Sequence, residues 1–380
     1  MSCAYKGLDE LGYISRGRSR HRPRDAAHLY GGPYPFIQTG DVKHAGLYLT
    51  EYTQTYSEEG LVQSRMWPAG TLCITIAANI ADTSILGFDA CFPDSVIGFI
   101  PDNKKADVRF IKYLFDALLQ RKYKQFTQGA AQDNLSQAKL LSLKLPIPGI
   151  IEQKQVADVL SAYDDLIENN RRRIQLLEQA ARLLYKEWFV HLRFPGHEHT
   201  KIIDGVPEGW EKKQVKNLLA KVKRPGKILK EDYLTDGPIP CIDQSVEFIG
   251  GFTDQVEAMI DELPMIVFGD HTRILKFIDF PFACGADGTQ LLASNDPIIS
   301  QEFFFFSLNS IDLSNYFYAR HFKFLKDKYI FRPTEMLVEH FTRIAKPIMR
   351  QIKILREHNA RLAKARDLLL PKLMNGEVAA

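Results

Sequence analysis

Apolar residues in residues 149–189 recur with a helical rhythm. Val156, Val159, Tyr163, Leu166, Ile174, Leu177, Leu184 and Trp188 fall three, four, seven or eight positions apart, and no Gly or Pro follows Gly149. The opposite face is charged and carries Arg171, Arg172 and Arg173. The pattern predicts one helix of about 38 residues, roughly 57 Å at 1.5 Å per residue, which needs a partner of similar length. A second seam runs through Leu337, Phe341, Ile344, Ile348, Ile352, Leu355, Asn359, Leu362, Leu369 and Leu373. Pro347 lies inside it and is expected to kink or restart the helix, because it removes one backbone donor. Asn359 occupies a seam position, where a buried amide fixes register at some cost in stability.

The two seams are copies. Adding 178 takes Val159 to Leu337, Tyr163 to Phe341, Leu166 to Ile344, Ile174 to Ile352, Leu177 to Leu355 and Leu184 to Leu362, and each pair stays apolar. The flanking regions repeat too. Pro35-Phe36-Ile37 matches Pro240-Cys241-Ile242 at an offset of 205, and Leu11 matches Leu218 at 207, each with a basic loop shortly after it. The organisation is globular, helical, globular, helical, with an expected pseudo-twofold. Its segments are a first globule at 1–148, a helix at 149–191, a linker at 192–209, a second globule at 210–333 and a distal helix at 334–380. Short apolar runs predict strands at 72–76 and 85–92 in the first globule and at 239–242, 265–268, 275–282 and 302–308 in the second. Helices are expected at 106–126 and 313–325. The Phe303–Phe306 run reads as a buried strand rather than a base-stacking platform.

Composition changes this picture little. The chain has 380 residues, 45% hydrophobic and 25% charged, an ordinary globular balance, and its net charge is 49 − 46 = +3. Local clusters therefore matter more than the total. Five scattered cysteines with no C-x-x-C pair suit a reduced protein without a cysteine zinc site. Residues 1–20 do not read as a signal peptide, and no apolar run suits a membrane span, so a cytoplasmic protein is expected.

Cations cluster in two places. Arg16, Arg18, Arg20, Arg22 and Arg24 alternate through the first basic loop, and Lys221, Lys223, Arg224 and Lys227 form the second. Both are candidates for DNA phosphate contact, against the alternative of a solvated loop. Gln128, Gln132 and Asn134 occupy a polar loop and can pair bidentately with adenine, or serve only as loop residues. Gly269-Asp270-His271-Thr272-Arg273 follows a strand. There Arg273 can donate twice to guanine and His271 or Thr272 can reach base edges or phosphate, while the alternative is a turn capped by Asp270. A pseudo-twofold with a basic loop on each globule suits duplex DNA, and two dissimilar globules suit an asymmetric, split target.

Signals for catalysis are weak. No Asn/Asp-Pro-Pro-Tyr/Phe tetrapeptide and no G-x-x-x-x-G-K-[ST] loop occurs. Pro93-Asp94 with Asp102-Asn103-Lys104 resembles a PD…DxK nuclease pattern, but reads better as a surface loop. His197-Glu198-His199 sits in the polar linker without further ligands, so no metal site is expected.

Four stretches resemble the DNA specificity subunits of type I restriction–modification systems. Residues 144–189 resemble the family's central conserved region, and residues 352–377, ending RDLLLPKLMNGE, its distal one. LYGGPYPFIQTGDV at 29–42 and MIVFGDHTRILKFIDFPFACGADGTQLL at 265–292 resemble parts of its two target recognition domains. The resemblance implies an α+β chain: two α/β target recognition domains separated by a long antiparallel two-helix coiled coil. It implies a non-catalytic chain whose partners are double-stranded DNA, two methyltransferase subunits and restriction/translocase subunits. No cofactor is expected on this chain; S-adenosylmethionine, Mg2+ and ATP would enter through the partners, in a bacterial or archaeal cytoplasm. The rival readings are a self-contained methyltransferase or nuclease, and a coiled-coil scaffold with no DNA role.

Overall fold

The computed structural model describes residues 3–77, 81–120, 137–285, 288–316 and 320–378. The chain divides into two compact units: Met1–Arg172 with Leu355–Ala380, and Arg173–Ile354. The division runs through both long helices, Ile150–Tyr185 and Glu335–Met374, so each unit holds one globule and a stretch of each helix.

In the first unit the strands are β1 (Ala4–Lys6), β2 (Gly12–Arg16), β3 (Tyr30–Phe36), β4 (Tyr48–Leu49), β5 (Gln54–Tyr56), β6 (Met66–Trp67), β7 (Leu72–Thr75), β8 (Thr83–Leu86), β9 (Ala90–Cys91), β10 (Val96–Pro101) and β11 (Leu145–Ile147). They form a five-stranded sheet β2-β10-β7-β8-β4, a four-stranded sheet β5-β3-β9-β6 and the pair β1-β11. Both faces of the larger sheet are buried. Leu72, Ile74, Ile97 and Phe99 face Phe110, Ile111, Val156 and Leu160, while Cys73 and Val96 face Trp67, Phe92 and Ile37. Burial on both sides is why LCIT reads as an unbroken apolar run rather than an alternating one.

The second unit contains β12 (Ile202–Ile203), β13 (Val206–Pro207), β14 (Glu211–Gln214), β15 (Ile239–Ile242), β16 (Gly251–Thr253), β17 (Met259–Ile260), β18 (Met265–Gly269), β19 (Leu275–Ile278), β20 (Phe282–Cys284), β21 (Thr289–Leu292) and β22 (Tyr329–Arg332). Its topology repeats the first. Sheet β16-β15-β20-β17 has the same antiparallel, parallel, antiparallel order as β5-β3-β9-β6. Phe36 pairs with Cys91 where Cys241 pairs with Ala283, so the matching tripeptides occupy the same strand position. Strands β19-β18-β21 correspond to β8-β7-β10. The Asp102 N–H donates to the Leu11 carbonyl (2.8 Å) as the Asn295 N–H does to Leu218 (2.9 Å). The expected internal repeat is thus visible within each unit's own hydrogen bonding.

Each globule contains a short capped helix that meets the long ones. Asp107 accepts the Arg109 N–H (2.9 Å) at the start of Val108–Phe115, and Ser300 accepts the Phe303 N–H (3.1 Å) at the start of Gln301–Asn309. In the first unit the Tyr113 hydroxyl donates to Asp164, which also pairs with Arg366. In the second, Tyr185, Trp188, Phe189, Phe303, Phe306 and Phe341 form one aromatic cluster.

Several sequence expectations need correction. The run at 302–308 is the helix Gln301–Asn309, not a strand; Phe303, Phe304 and Phe306 are nonetheless buried. Periodicity cannot separate a buried helix from a buried strand, and the Ser300 cap decides it. The strand expected at 85–92 breaks into β8 and β9, which lie in different sheets, and that at 275–282 breaks into β19 and β20. The helix expected at 106–126 is Val108–Phe115 continued by a π-helical turn to Gln120, and residues 121–126 lie outside the described residues. In the 313–325 stretch the described helix begins only at His321 and runs to Asp327.

The long helices run antiparallel within each unit. Asn170 Nδ2 donates to Asn359 Oδ1 (2.9 Å) and Asn359 Nδ2 to the Ile167 carbonyl (3.3 Å) in the first; Trp188 meets His340 and Phe341 in the second. Asn359 is satisfied by a second asparagine and a backbone carbonyl. Pro347 does not restart its helix, which continues from Glu335 to Met374. Pro347 and Arg343 are both exposed, so water can take the Arg343 carbonyl that the ring leaves without a donor. Of the seam residues, Val156, Trp188, Leu337, Phe341, Ile352, Leu355 and Leu373 are buried, and Val159, Tyr163, Ile174, Leu177, Leu184, Ile348, Asn359, Leu362 and Leu369 are half-buried. Leu166 (52% exposed) and Ile344 (37%) are not seam residues. Around Leu166 the buried stripe is Val156, Leu160, Asp164, Ile167 and Asn170. Two of those five are polar, so counting apolar residues alone misplaces the stripe.

Candidate nucleic-acid interface

The two basic loops are seated alike. The Arg18 N–H donates to the Phe92 carbonyl (3.0 Å), just past β9. The Ile228 N–H donates to the Cys284 carbonyl (3.1 Å), at the end of β20, the strand equivalent to β9. Gly17 is required by close approach: a Cβ there would lie 2.3 Å from the Phe92 carbonyl oxygen.

All five candidate arginines of the first loop are exposed, yet they are not equally available. Arg24 Nη2 contacts both carboxylate oxygens of Asp94 at 2.9 Å, Arg16 Nε donates to the Asp94 carbonyl (2.8 Å), and Arg22 Nη1 to the Ser19 and His21 carbonyls. Among the described residues the side chains of Arg18 and Arg20 make no hydrogen bond. The loop backbone is held by Gln63, whose Oε1 accepts the Arg20 and His21 N–H groups (2.6 and 3.0 Å). Beside it, Arg65 lies over the Tyr13 and Trp67 rings and donates to the Tyr13 hydroxyl (2.7 Å), which lowers that phenol's pKa.

In the second unit Lys221, Lys223, Arg224 and Lys227 are exposed, and Arg224 Nη2 donates to Gln290 Oε1 (2.8 Å). Strand β21, which carries Gln290, lies beside β18, which leads into the turn holding His271, Thr272 and Arg273. Gln244 braces that turn: its Oε1 accepts the His271 N–H (3.1 Å) and its carbonyl accepts the Thr272 hydroxyl (2.7 Å). Gly288, at φ +82°, leaves room for Gln244 and His271 that a side chain would occupy. His271 and Thr272 stand exposed. Arg273 adopts φ +64°, and its Nη1 turns back onto the Leu313 carbonyl (3.2 Å). Asp270 is buried and accepts the Phe322 N–H (2.8 Å), so it caps the His321–Asp327 helix. Asp243, under Gln244, is also buried. Burial opposes its charge, but hydrogen bonds from Ser245 and the Lys276 ammonium outweigh it and lower its pKa. Burial in turn lowers the pKa of Lys276.

Gln128, Gln132 and Asn134 lie outside the described residues. The PD…DxK pattern does not assemble: Asp94 is spent on Arg24, and Asp102 accepts the Lys104 N–H (3.0 Å) and pairs with Lys105. His197 Nδ1 lies 2.8 Å from the Phe194 carbonyl in a short 3-10 turn. The reading of the sequence missed Gln244, Gln290 and Gln63, and it did not pair Asp94 with Arg24. Gln244 was within reach, because it lies two residues past the Pro240-Cys241-Ile242 match.

Comparison with known proteins points to one family. Residues 4–179 match the family model described as the type I restriction modification DNA specificity domain. The specificity subunit of the type I restriction enzyme MjaIX of Methanocaldococcus jannaschii is 24% identical over 98% of this chain and 93% of its own length. The chain resembles the type I DNA specificity subunits. The HindI specificity subunit of Haemophilus influenzae is 27% identical over 47% of this chain and 40% of its own length. The crystal structure of the type I S subunit of M. genitalium shares the fold, with TM-score 0.57 and 16% identity over 97% of this chain and 95% of that one. The family resemblance and the expected α+β class with long paired helices are therefore borne out. No helix among the described residues is long and apolar enough to cross a membrane.

Proposed function

We propose that this chain is the sequence-reading subunit of a type I restriction–modification complex and catalyses nothing itself. Each globule reads one half of a bipartite duplex site, and the long helices act as the spacer that sets the distance between half-sites. One observation carries this reading: the same globule occurs twice with its basic loop seated by the same backbone hydrogen bond, while the exposed side chains of the two loops differ. Duplicated seating suits two similar tasks on DNA, and different side chains suit two different half-sites. The candidate contacts are Arg18 and Arg20 in the first globule, and Lys221, Lys223, Arg224, His271 and Thr272 in the second. Two methyltransferase subunits and the restriction/translocase subunits are the protein partners. They supply the S-adenosylmethionine, Mg2+ and ATP chemistry in the cytoplasm of a bacterium or archaeon.

Sequencing of methylated bases in the source genome, with and without this gene, tests the reading. The expected result is one split, asymmetric motif that disappears with the gene. An unchanged methylation pattern, or a contiguous symmetric motif, sinks it. Inserting a heptad into both long helices should lengthen the gap in that motif, and an unaltered gap rules out the spacer role.

A further inference from the structure

The cations of the two loops are held in different ways, and the difference has chemical meaning. Arg24 is neutralised by a carboxylate, and Arg16, Arg22 and Arg273 are tied to backbone carbonyls of their own unit. Arg224 is exposed and is oriented by a neutral side-chain amide, Gln290 Oε1 at 2.8 Å. Gln290 is fixed in turn, because β21 pairs with β18 at Phe268 and Phe268 is buried in the core. Among the described residues of the adjoining segments, the carboxylates Asp243 and Asp270 are turned inward: Asp243 binds Ser245 and pairs with Lys276, and Asp270 caps a helix. Among the described residues the guanidinium makes this one hydrogen bond, which orients it and leaves its other N–H donors for a ligand.

Phosphate contact needs charge but little orientation, and the flexible Lys221 and Lys223 satisfy it. A base edge needs a planar donor fork held at a fixed angle. We infer that Arg224, positioned by Gln290, reads a guanine through its O6 and N7 acceptors in the half-site of the second globule. This rests on the DNA-recognition function proposed above. Arg224 is the residue that touches the base, and Gln290 is a positioning residue that acts through it.

The test uses the full chain assembled with its methyltransferase partner. Random duplexes are selected for binding and sequenced, and affinity for the selected site is followed against salt. The wild type is expected to select a half-site containing a fixed guanine. Arg224→Lys keeps the charge but loses the fork. It should relax that one position by about 10- to 100-fold and leave the other positions and the salt slope unchanged. Gln290→Ala should relax the same position by a smaller factor with an unchanged thermal midpoint, an outcome that a merely structural role for the glutamine would not give. Lys221→Ala should weaken all sequences alike and lower the salt slope by about one. If Arg224→Lys weakens all sequences alike, or leaves every guanine preference intact, the inference is overturned and the proposed function stands. If the wild-type complex selects no sequence at all, the proposed function itself falls.

Discussion

Where each globule's short helix meets the long ones, the first unit is polar and the second aromatic. The positions correspond: Tyr113 and Phe306 are 193 apart, as are the caps Asp107 and Ser300, while Asp164 and Thr342, and Trp188 and Arg366, are 178 apart. In the first unit a phenol, a carboxylate and a guanidinium bind one another around the buried Asp164. In the second, Phe306 and Trp188 pack on Phe341, and Thr342 hydrogen-bonds Ser300 (2.7 Å). The same backbone positions accept either solution, provided that volume is filled and every buried polar group has a partner. The two solutions differ in what they leave behind when damaged. An aromatic cluster loses contacts in proportion to the atoms removed, whereas a polar node loses little until one partner is left buried and alone.

The largest expected effect is in the aromatic node. Phe341 is fully buried and touches Tyr185, Trp188, Phe189, Phe303 and Phe306. Phe341→Ala should cost about 3–5 kcal/mol in denaturant unfolding; a loss below about 1 kcal/mol would show that the cluster is not the core of its unit. Asp164→Ala follows at about 3 kcal/mol, because it strands the Arg366 guanidinium and the Tyr113 hydroxyl. Asp367, which also binds Arg366, keeps that figure at the low end of the range. The comparison breaks or holds on the transplant Tyr113→Phe, Asp164→Thr, Arg366→Trp. If the nodes are interchangeable, the triple variant should lie within about 1–2 kcal/mol of wild type or above it. A loss as large as that of Asp164→Ala would mean that the surroundings of the first node are built around its charges.

The smallest effect is alkaline. Burial, and then Asp164, raise the pKa of Tyr113, and burial raises Tyr185 to about 12. An unfolded tyrosine releases its proton near pH 10 while the folded one keeps it, so each ring's contribution is complete below about pH 10 and is lost above it. Tyr185→Phe and Tyr113→Phe should each flatten the fall in stability between about pH 10 and 12, measured by urea unfolding at stepped pH. Equal slopes in variant and wild type would show that the phenols are not buried as described.

Both long helices and the repeat were legible because a 3.6-residue rhythm and a constant offset survive in the bare sequence. So was the start of each basic loop, since Leu11 and Leu218, which precede the loops, proved to hold the same backbone position. The buried stripe around Leu166 was not legible, because Asp164 and Asn170 occupy it and only a partner on the other helix makes a buried polar residue tolerable. The helix at Gln301–Asn309 was read as a strand because four phenylalanines in a row carry no period. The interface was least legible of all. Arg24 is spent on a carboxylate 70 residues away and Arg224 is oriented by an amide 66 residues away, and no local pattern announces either.

The chain enters the first globule on β1 and leaves it on β11, and these two strands pair directly, Ala4 beside Ile147. It enters the second on β14 and leaves on β22, with Glu211 beside Arg332. Paired strands lie about 5 Å apart, so each globule is a cassette whose two splice points sit side by side. A foreign globule with the same doorway could be grafted through two neighbouring junctions without re-threading either long helix.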